Sequence, residues 1–174
     1  MTDEEFSELI KMEPDISVFE VNNDVALIIT RCPQNYHLRG YIAFSPSHPF
    51  YSLYKKDASN EYNVYGGITF QGKSPGRQIP VRYKDWYFIG MDGSHEGDYS
   101  HGRSRTDEDV MFLNAMADIQ DNSKLYVGHN GSNCVYVNLN FIHNELINLY
   151  EQIKNELGIK EVKYARRHST IERT

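Results

Sequence analysis

The sequence predicts an α+β domain in which a largely antiparallel sheet is packed against two or three amphipathic helices. Three observations predict it. Short β-branched and aromatic runs separated by turn residues fill the first half of the chain. In the second half, Leu139, Ile142, Leu146, Leu149, Tyr150, Ile153 and Leu157 return every three or four residues, the period of a helix with one apolar face. At 174 residues, 40% hydrophobic and 24% charged, the chain has the length and composition of one domain with its own core.

The elements follow in order. Residues 3–12 place Phe6, Leu9 and Ile10 at helical spacing behind Thr2 or Asp3 as N-cap, and Pro14 ends the helix. Residues 17–21 and 24–30 read as a hairpin about Asn22-Asn23, a pair able to reach positive φ. The second of these strands has no polar alternation, so both its faces should be covered. Residues 40–45 form a further strand stopped by Pro46 and Pro49, and residues 50–56 a helical turn. Strands are expected over 61–65 and 68–71, on either side of Gly66-Gly67. Adjacent glycines there mean a tight turn, a bulge, or a backbone that something approaches closely. After a Gly/Pro/Arg loop at 73–82, the apolar run 85–91 is the next strand. Residues 106–121 are a helix with Thr106 as N-cap, and 124–128 a short edge strand before a loop at 128–133. Residues 138–157 form the last helix, capped by Asn138 and closed by Gly158.

Charge is unevenly spread over a net −6. Residues 1–24 hold eight acids against Lys11, and residues 160–174 hold five bases against two acids, which leaves the body close to neutral. That distribution argues against duplex nucleic acid as a partner. Residues 1–159 are expected to form the domain, with 160–174 a basic tail. No apolar run reaches the length of a membrane span, so no membrane partner is expected. Two cysteines, Cys32 and Cys134, read as free thiols in a reducing compartment, the cytoplasm.

The densest chemistry lies between Tyr62 and Asp98. Asp92-x-x-His95-x-x-Asp98, with His101 three residues on, puts two carboxylates and two imidazoles just past a strand. Such a set suits a divalent metal or acid/base work, with His95, Asp98 and His101 as catalytic candidates and Asp92, His95, Asp98 and His48 as candidate ligands. The spacing is that of no established metal motif, and Gly93, Gly97 and Gly102 forbid the helix that would make it one. The plainer reading is a polar loop whose aspartates accept from nearby backbone N–H groups. A pocket for a small nucleotide-like ligand is the third. Tyr65, Gly66, Gly67 and Thr69 would supply backbone and ring surface, Arg77, Arg82, Arg103 and Arg105 would hold phosphate, and Trp86 would face a base, with Asp92, His95 and Asp98 shaping the walls. The plainer reading of those arginines is that they pair with nearby surface acids. No nucleophile elbow is present, and neither cysteine has a histidine beside it in sequence.

Gly40-Tyr41-Ile42, His48-Pro49, Val64-Tyr65-Gly66-Gly67-Ile68-Thr69-Phe70, Trp86, Gly90-Met91-Asp92, His95, Asp98 and residues 136–145 form a set whose order resembles a family of short phage and prophage proteins of uncharacterised activity. The likeness spans residues 26–157 and departs from the family at Tyr65, where a His is usual, and at Met91, where a Phe is usual; residues 106–133 look like an extension. It implies a phage accessory protein acting in the cytoplasm of an infected bacterial host, of a kind that often counters host defence. Three functions are therefore expected in turn. The first is sequestration of a small nucleotide-derived ligand, and the second is metal-dependent hydrolysis or phosphodiester cleavage by the Asp92/His95/Asp98 cluster. The third is inhibition of a host enzyme through the acidic N-terminal helix or the basic tail. The long final helix offers a face for self-association into a homo-oligomer.

Overall fold

The unbroken apolar run after Asn22-Asn23 becomes the second strand of a five-stranded antiparallel sheet, and all seven of its residues are buried. The fold comes from a computed structural model, which describes residues 8, 11–33, 36–53, 58, 61–73, 75, 76, 78–95, 98, 126, 127, 133, 134 and 136–159. The strands are β1 (Ile16–Asn22), β2 (Val25–Arg31), β3 (Leu38–Phe44), β4 (Phe70–Lys73) and β5 (Tyr87–Asp92), in the spatial order β1-β2-β3-β5-β4. β5 therefore slots between β3 and β4. A helix, α1 (Leu139–Leu157), packs on one face, so the domain is α+β as the sequence predicts.

Both faces of the sheet are covered. Val25, Leu27, Ile29, Leu38, Ile42, Phe44, Ile89 and Met91 meet Ile142, Leu146, Leu149 and Ile153 of α1 in the main core. Ala26, Ile28, Tyr41, Ala43 and Phe88 face the other way, against Tyr83 and Trp86. α1 can come this close because Gly40 has no side chain: a Cβ there would lie 2.6 Å from Cγ2 of Ile142. Asn138 caps the helix by accepting from the Phe141 N–H (2.9 Å), and Gly158 closes it at φ 65°.

The hairpin turn differs in detail from the expectation. Asn22 pairs with Val25, so Asn23-Asp24 form the loop, and a bulge falls between Glu20 and Asn22. Neither loop residue has positive φ; the Asn22 side chain instead accepts from the Asp24 N–H (2.8 Å), as in an Asx turn.

Residues 61–65 are not a strand, because their backbone groups go to side chains of α1 instead of a neighbouring strand. The Asn63 N–H donates to Gln152 Oε1 (2.9 Å), the Asn63 carbonyl accepts from Gln152 Nε2 (2.9 Å) and Asn148 Nδ2 (3.3 Å), and the Tyr65 N–H donates to Glu145 Oε2 (2.8 Å). The helical turn after Pro49 is a 3-10 turn, Pro49–Leu53, and a second, Val81–Tyr83, precedes β5. The short strand β6 (Tyr126–Val127) pairs antiparallel with β7 (Asn133–Cys134), where the sequence reads as a loop. Glu8, Lys11 and Met12 are helical. The helix expected over 106–121 and the tail 160–174 lie outside the described residues. No helix among the described residues is long and apolar enough to cross a membrane.

A buried charge ties the N-terminal segment to α1. Arg31, 2% exposed, donates to Glu13 Oε2 (2.8 Å) and to the Tyr36 carbonyl (2.9 Å), and its Nε lies 3.4 Å from Asp15. The Tyr136 hydroxyl also donates to Glu13, whose other oxygen accepts from the Leu139 N–H (3.0 Å). Glu13 thus balances a buried guanidinium and satisfies a first-turn N–H of the helix at once.

Candidate functional site

β5 ends at Asp92, opposite Arg39 of β3, and the chain turns back over that end of the sheet. The Ser94 N–H donates to Asp92 Oδ1 (3.1 Å), and the Gly93 N–H donates to the Leu38 carbonyl (2.8 Å). Asp98 then folds inward until it is 2% exposed. Its Oδ2 accepts from the His95 N–H (2.8 Å), its Oδ1 accepts from the Tyr65 hydroxyl, and its own N–H donates to the His95 carbonyl (3.0 Å). Burial pushes the Asp98 carboxyl above the usual carboxylate range, against the pull of its bonds to Tyr65 and His95. Burial likewise pushes the Tyr65 phenol up, and the Asp98 carboxylate adds to it.

The paired glycines meet this loop directly. Gly66 and Gly67 hold φ of 66° and 78°, and a Cβ on Gly66 would fall 1.7 Å from His95 Nε2. What approaches the glycine backbone is therefore the imidazole of the same chain. Tyr65 stands between that imidazole (centroids 5.4 Å apart) and Phe141 of α1 (5.1 Å).

Sequence reasoning missed three members of this neighbourhood. His37, 6% exposed, accepts from Arg39 Nε through its Nε2 (3.2 Å), which leaves the hydrogen on Nδ1, a buried atom with no partner among the described residues. Burial, and then the Arg39 charge, push the His37 imidazole down to about 4, so it is neutral at physiological pH. Arg39 Nη2 also donates to Cys32 Sγ (3.1 Å). His95 Nε2 is likewise buried without a hydrogen-bond partner among the described residues, and the carboxylate oxygen Asp92 Oδ1 lies 3.8 Å from it. The only signal for His37 and Arg39 is register, which sets Arg39 against Asp92 and which no local pattern prints.

The structure thus brings together Tyr65, Gly66, Gly67, Asp92, His95 and Asp98. Thr69 lies close in sequence but is exposed, with its N–H bonded to the Gly90 carbonyl (2.9 Å) at the sheet edge. His48 is not with them: it follows Phe44, whose partners are Val25 and Tyr87, at the opposite end of β3 from Arg39. Trp86 and Arg82 also belong to that opposite end, since Trp86 precedes the first residue of β5 and Asp92 is the last. Arg77, His101, Arg103 and Arg105 lie outside the described residues. Among the described residues, no three His, Cys, Asp or Glu side chains are placed to hold a metal ion.

At the far end a groove of about 190 Å³ opens on the face away from α1, lined by Glu20, Asn22, Asn23, Arg82, Tyr83 and Trp86 among others. The Arg82 guanidinium lies 4.7 Å over the Tyr83 ring and pairs with Glu20 (2.8 Å), and Trp86 meets Tyr83 edge to face at 4.9 Å. Burial pushes the Tyr83 phenol up to about 12, so it stays a neutral hydroxyl. No protein-family model, curated protein or solved structure matches the chain.

Proposed function

We propose that this chain is a binding protein that sequesters a small nucleotide-derived ligand without turning it over, as a phage accessory protein directed against host defence. The observation that carries the reading is the groove in which Arg82, Tyr83 and Trp86 converge. The Trp86 indole, held edge to face by the buried Tyr83 ring, gives a base an apolar surface, and a half-exposed guanidinium gives a phosphate a forked donor in exchange for Glu20. The loop from Asp92 to Asp98 supports holding over turnover. Asp98 spends both oxygens on Tyr65 and His95, and Gly66 backs the imidazole, so the loop acts chiefly as a fastening.

The protein is incubated with a panel of cyclic and ADP-ribose-type nucleotides, desalted, and extracted for mass spectrometry. Intact nucleotide should be recovered with the wild-type protein and lost with Arg82→Ala and Trp86→Ala. Retention of no member of the panel, or retention undiminished in both variants, refutes the assignment. A hydrolytic alternative draws on one observation, the buried His95 Nε2, without a hydrogen-bond partner among the described residues and 3.8 Å from Asp92 Oδ1. Cleaved products that vanish with His95→Ala would favour it.

A further inference from the structure

A second cleft, of about 310 Å³, lies on the α1 side of the sheet between the β1–β2 turn, the Pro49 turn and the last turns of α1. Its volume is at the small end of ligand sites. Two groups lining it are held in position by the protein while keeping one hydrogen-bonding atom uncommitted. Asp24 Oδ1 accepts from the hydroxyls of Ser45 and Ser47, each at 2.5 Å, and no described group donates to its Oδ2. Those two hydroxyls hold the Asp24 carboxyl below its ordinary range, so it is ionised at neutral pH. His48 is 8% exposed and stacks at 4.6 Å on Phe44. Its Nδ1 accepts from the Phe50 N–H (3.1 Å), which fixes the hydrogen on Nε2, and no described group accepts that N–H. Burial pushes the His48 imidazole down, so it stays a neutral donor.

The charges around the cleft select among ligands. Lys154, 5% exposed, sits 5.2 Å over the Tyr150 ring with its ammonium 2.7 Å from Glu151. Its charge is therefore met within the protein, and an incoming phosphate would face the ionised Asp24 without a compensating free cation among the described residues lining the cleft. An incoming cation would meet a single carboxylate, Asp24, among the described residues lining the cleft. A neutral hydroxyl suits both uncommitted atoms, since it donates to a carboxylate and accepts from an imidazole N–H. Val21, Pro49 and Ile159 add apolar wall that suits the C–H face of a ring, and Asn22 and Asn23 add polar wall beside Asp24.

We infer that this cleft binds a polyhydroxylated small molecule, a furanose or pyranose ring, with vicinal hydroxyls donating to Asp24 Oδ2 and accepting from His48 Nε2–H. The site shares Asn22 and Asn23 of the β1–β2 turn with the Arg82 groove but places Asp24 and His48 on the α1 side of the sheet, and it does not depend on the nucleotide reading. Saturation-transfer NMR on the full chain with D-ribose, D-glucose and tetrahydropyran tests it, together with ³¹P NMR of inorganic phosphate. Saturation should reach the ring protons of at least one sugar and not tetrahydropyran, and apparent affinity should drop about tenfold in Asp24→Asn and in His48→Phe, the loss of one charge-assisted or buried hydrogen bond. An amide ¹H–¹⁵N spectrum reports which variants keep the fold, and either folded variant suffices. The inference is overturned if neither sugar shows transfer, if a folded variant binds sugar like the wild type, or if phosphate displaces the sugar.

Discussion

Replacing Gly66 by alanine isolates the contact on which the Asp92–Asp98 loop rests. Two costs add at that position. At φ 66° an L side chain sits in the left-handed region, at about 1–2 kcal/mol. The new Cβ would also lie 1.7 Å from His95 Nε2 and 2.2 Å from Cδ2 and Cε1, an overlap that the ring can leave only by breaking its packing on Tyr65. Overpacking of that kind typically costs about 1–3 kcal/mol. Gly66→Ala should therefore destabilise the wild type by roughly 2–5 kcal/mol. In a His95→Ala background the obstacle is gone and only the backbone cost, about 1–2 kcal/mol, should remain. Urea unfolding of the four proteins of this cycle, followed by fluorescence of the single Trp86, measures the coupling. Equal costs of Gly66→Ala in both backgrounds would show that the glycine does not serve to seat His95.

Other parts of the structure yield further expectations. Tyr65→Phe removes a hydrogen bond to the buried Asp98 carboxylate and should cost about 1.5–3 kcal/mol in the same urea assay; a change near zero would mean that this bond does not hold the loop. Glu13→Ala withdraws the closest counter-charge of Arg31 and an acceptor for the first turn of α1, so a loss of about 3–5 kcal/mol is expected, with Asp15→Ala, at the exposed edge of the network, costing far less. His37 titrates at about 4 in the folded chain against an ordinary value of about 6.5, so between those values the unfolded chain binds the extra proton. Stability from this group is complete above pH 6.5 and is lost as the pH falls toward 4. His37→Gln should make the stability-against-pH curve shallower in that window, leaving the smaller slope due to His48 and His143, whose imidazoles burial also pushes down. An unchanged curve would contradict the burial of a neutral His37.

How far each of these features is legible in sequence depends on how local its cause is. The caps of α1 are legible because Asn138 and Gly158 act on groups three or four residues away. The burial of β2 is legible because seven residues without polar alternation leave no face for water. Residues 61–65 have the composition of a strand, but their backbone partners are Glu145, Asn148 and Gln152, eighty or more residues on, and strand propensity does not say which partner a backbone group will find. Glu13 and Arg31 are ordinary charges in sequence; a common destination makes them a buried pair.

The stretch from Tyr62 to Asp98 divides along the same line. From residue types alone follow the carboxylates and imidazoles after a strand and the glycines that admit positive φ, because these properties belong to each residue wherever it sits. Tertiary structure decided that His95 rests on Gly66, that Asp98 turns in to Tyr65, and that Arg82 and Trp86 lie a full strand away from them. It also decided that Asp24 and His48, separated by more than twenty residues and two strands, line one cleft. Strand order and register set those distances, and they are chosen by the packing of the whole core, in which β5 enters between β3 and β4 beneath α1.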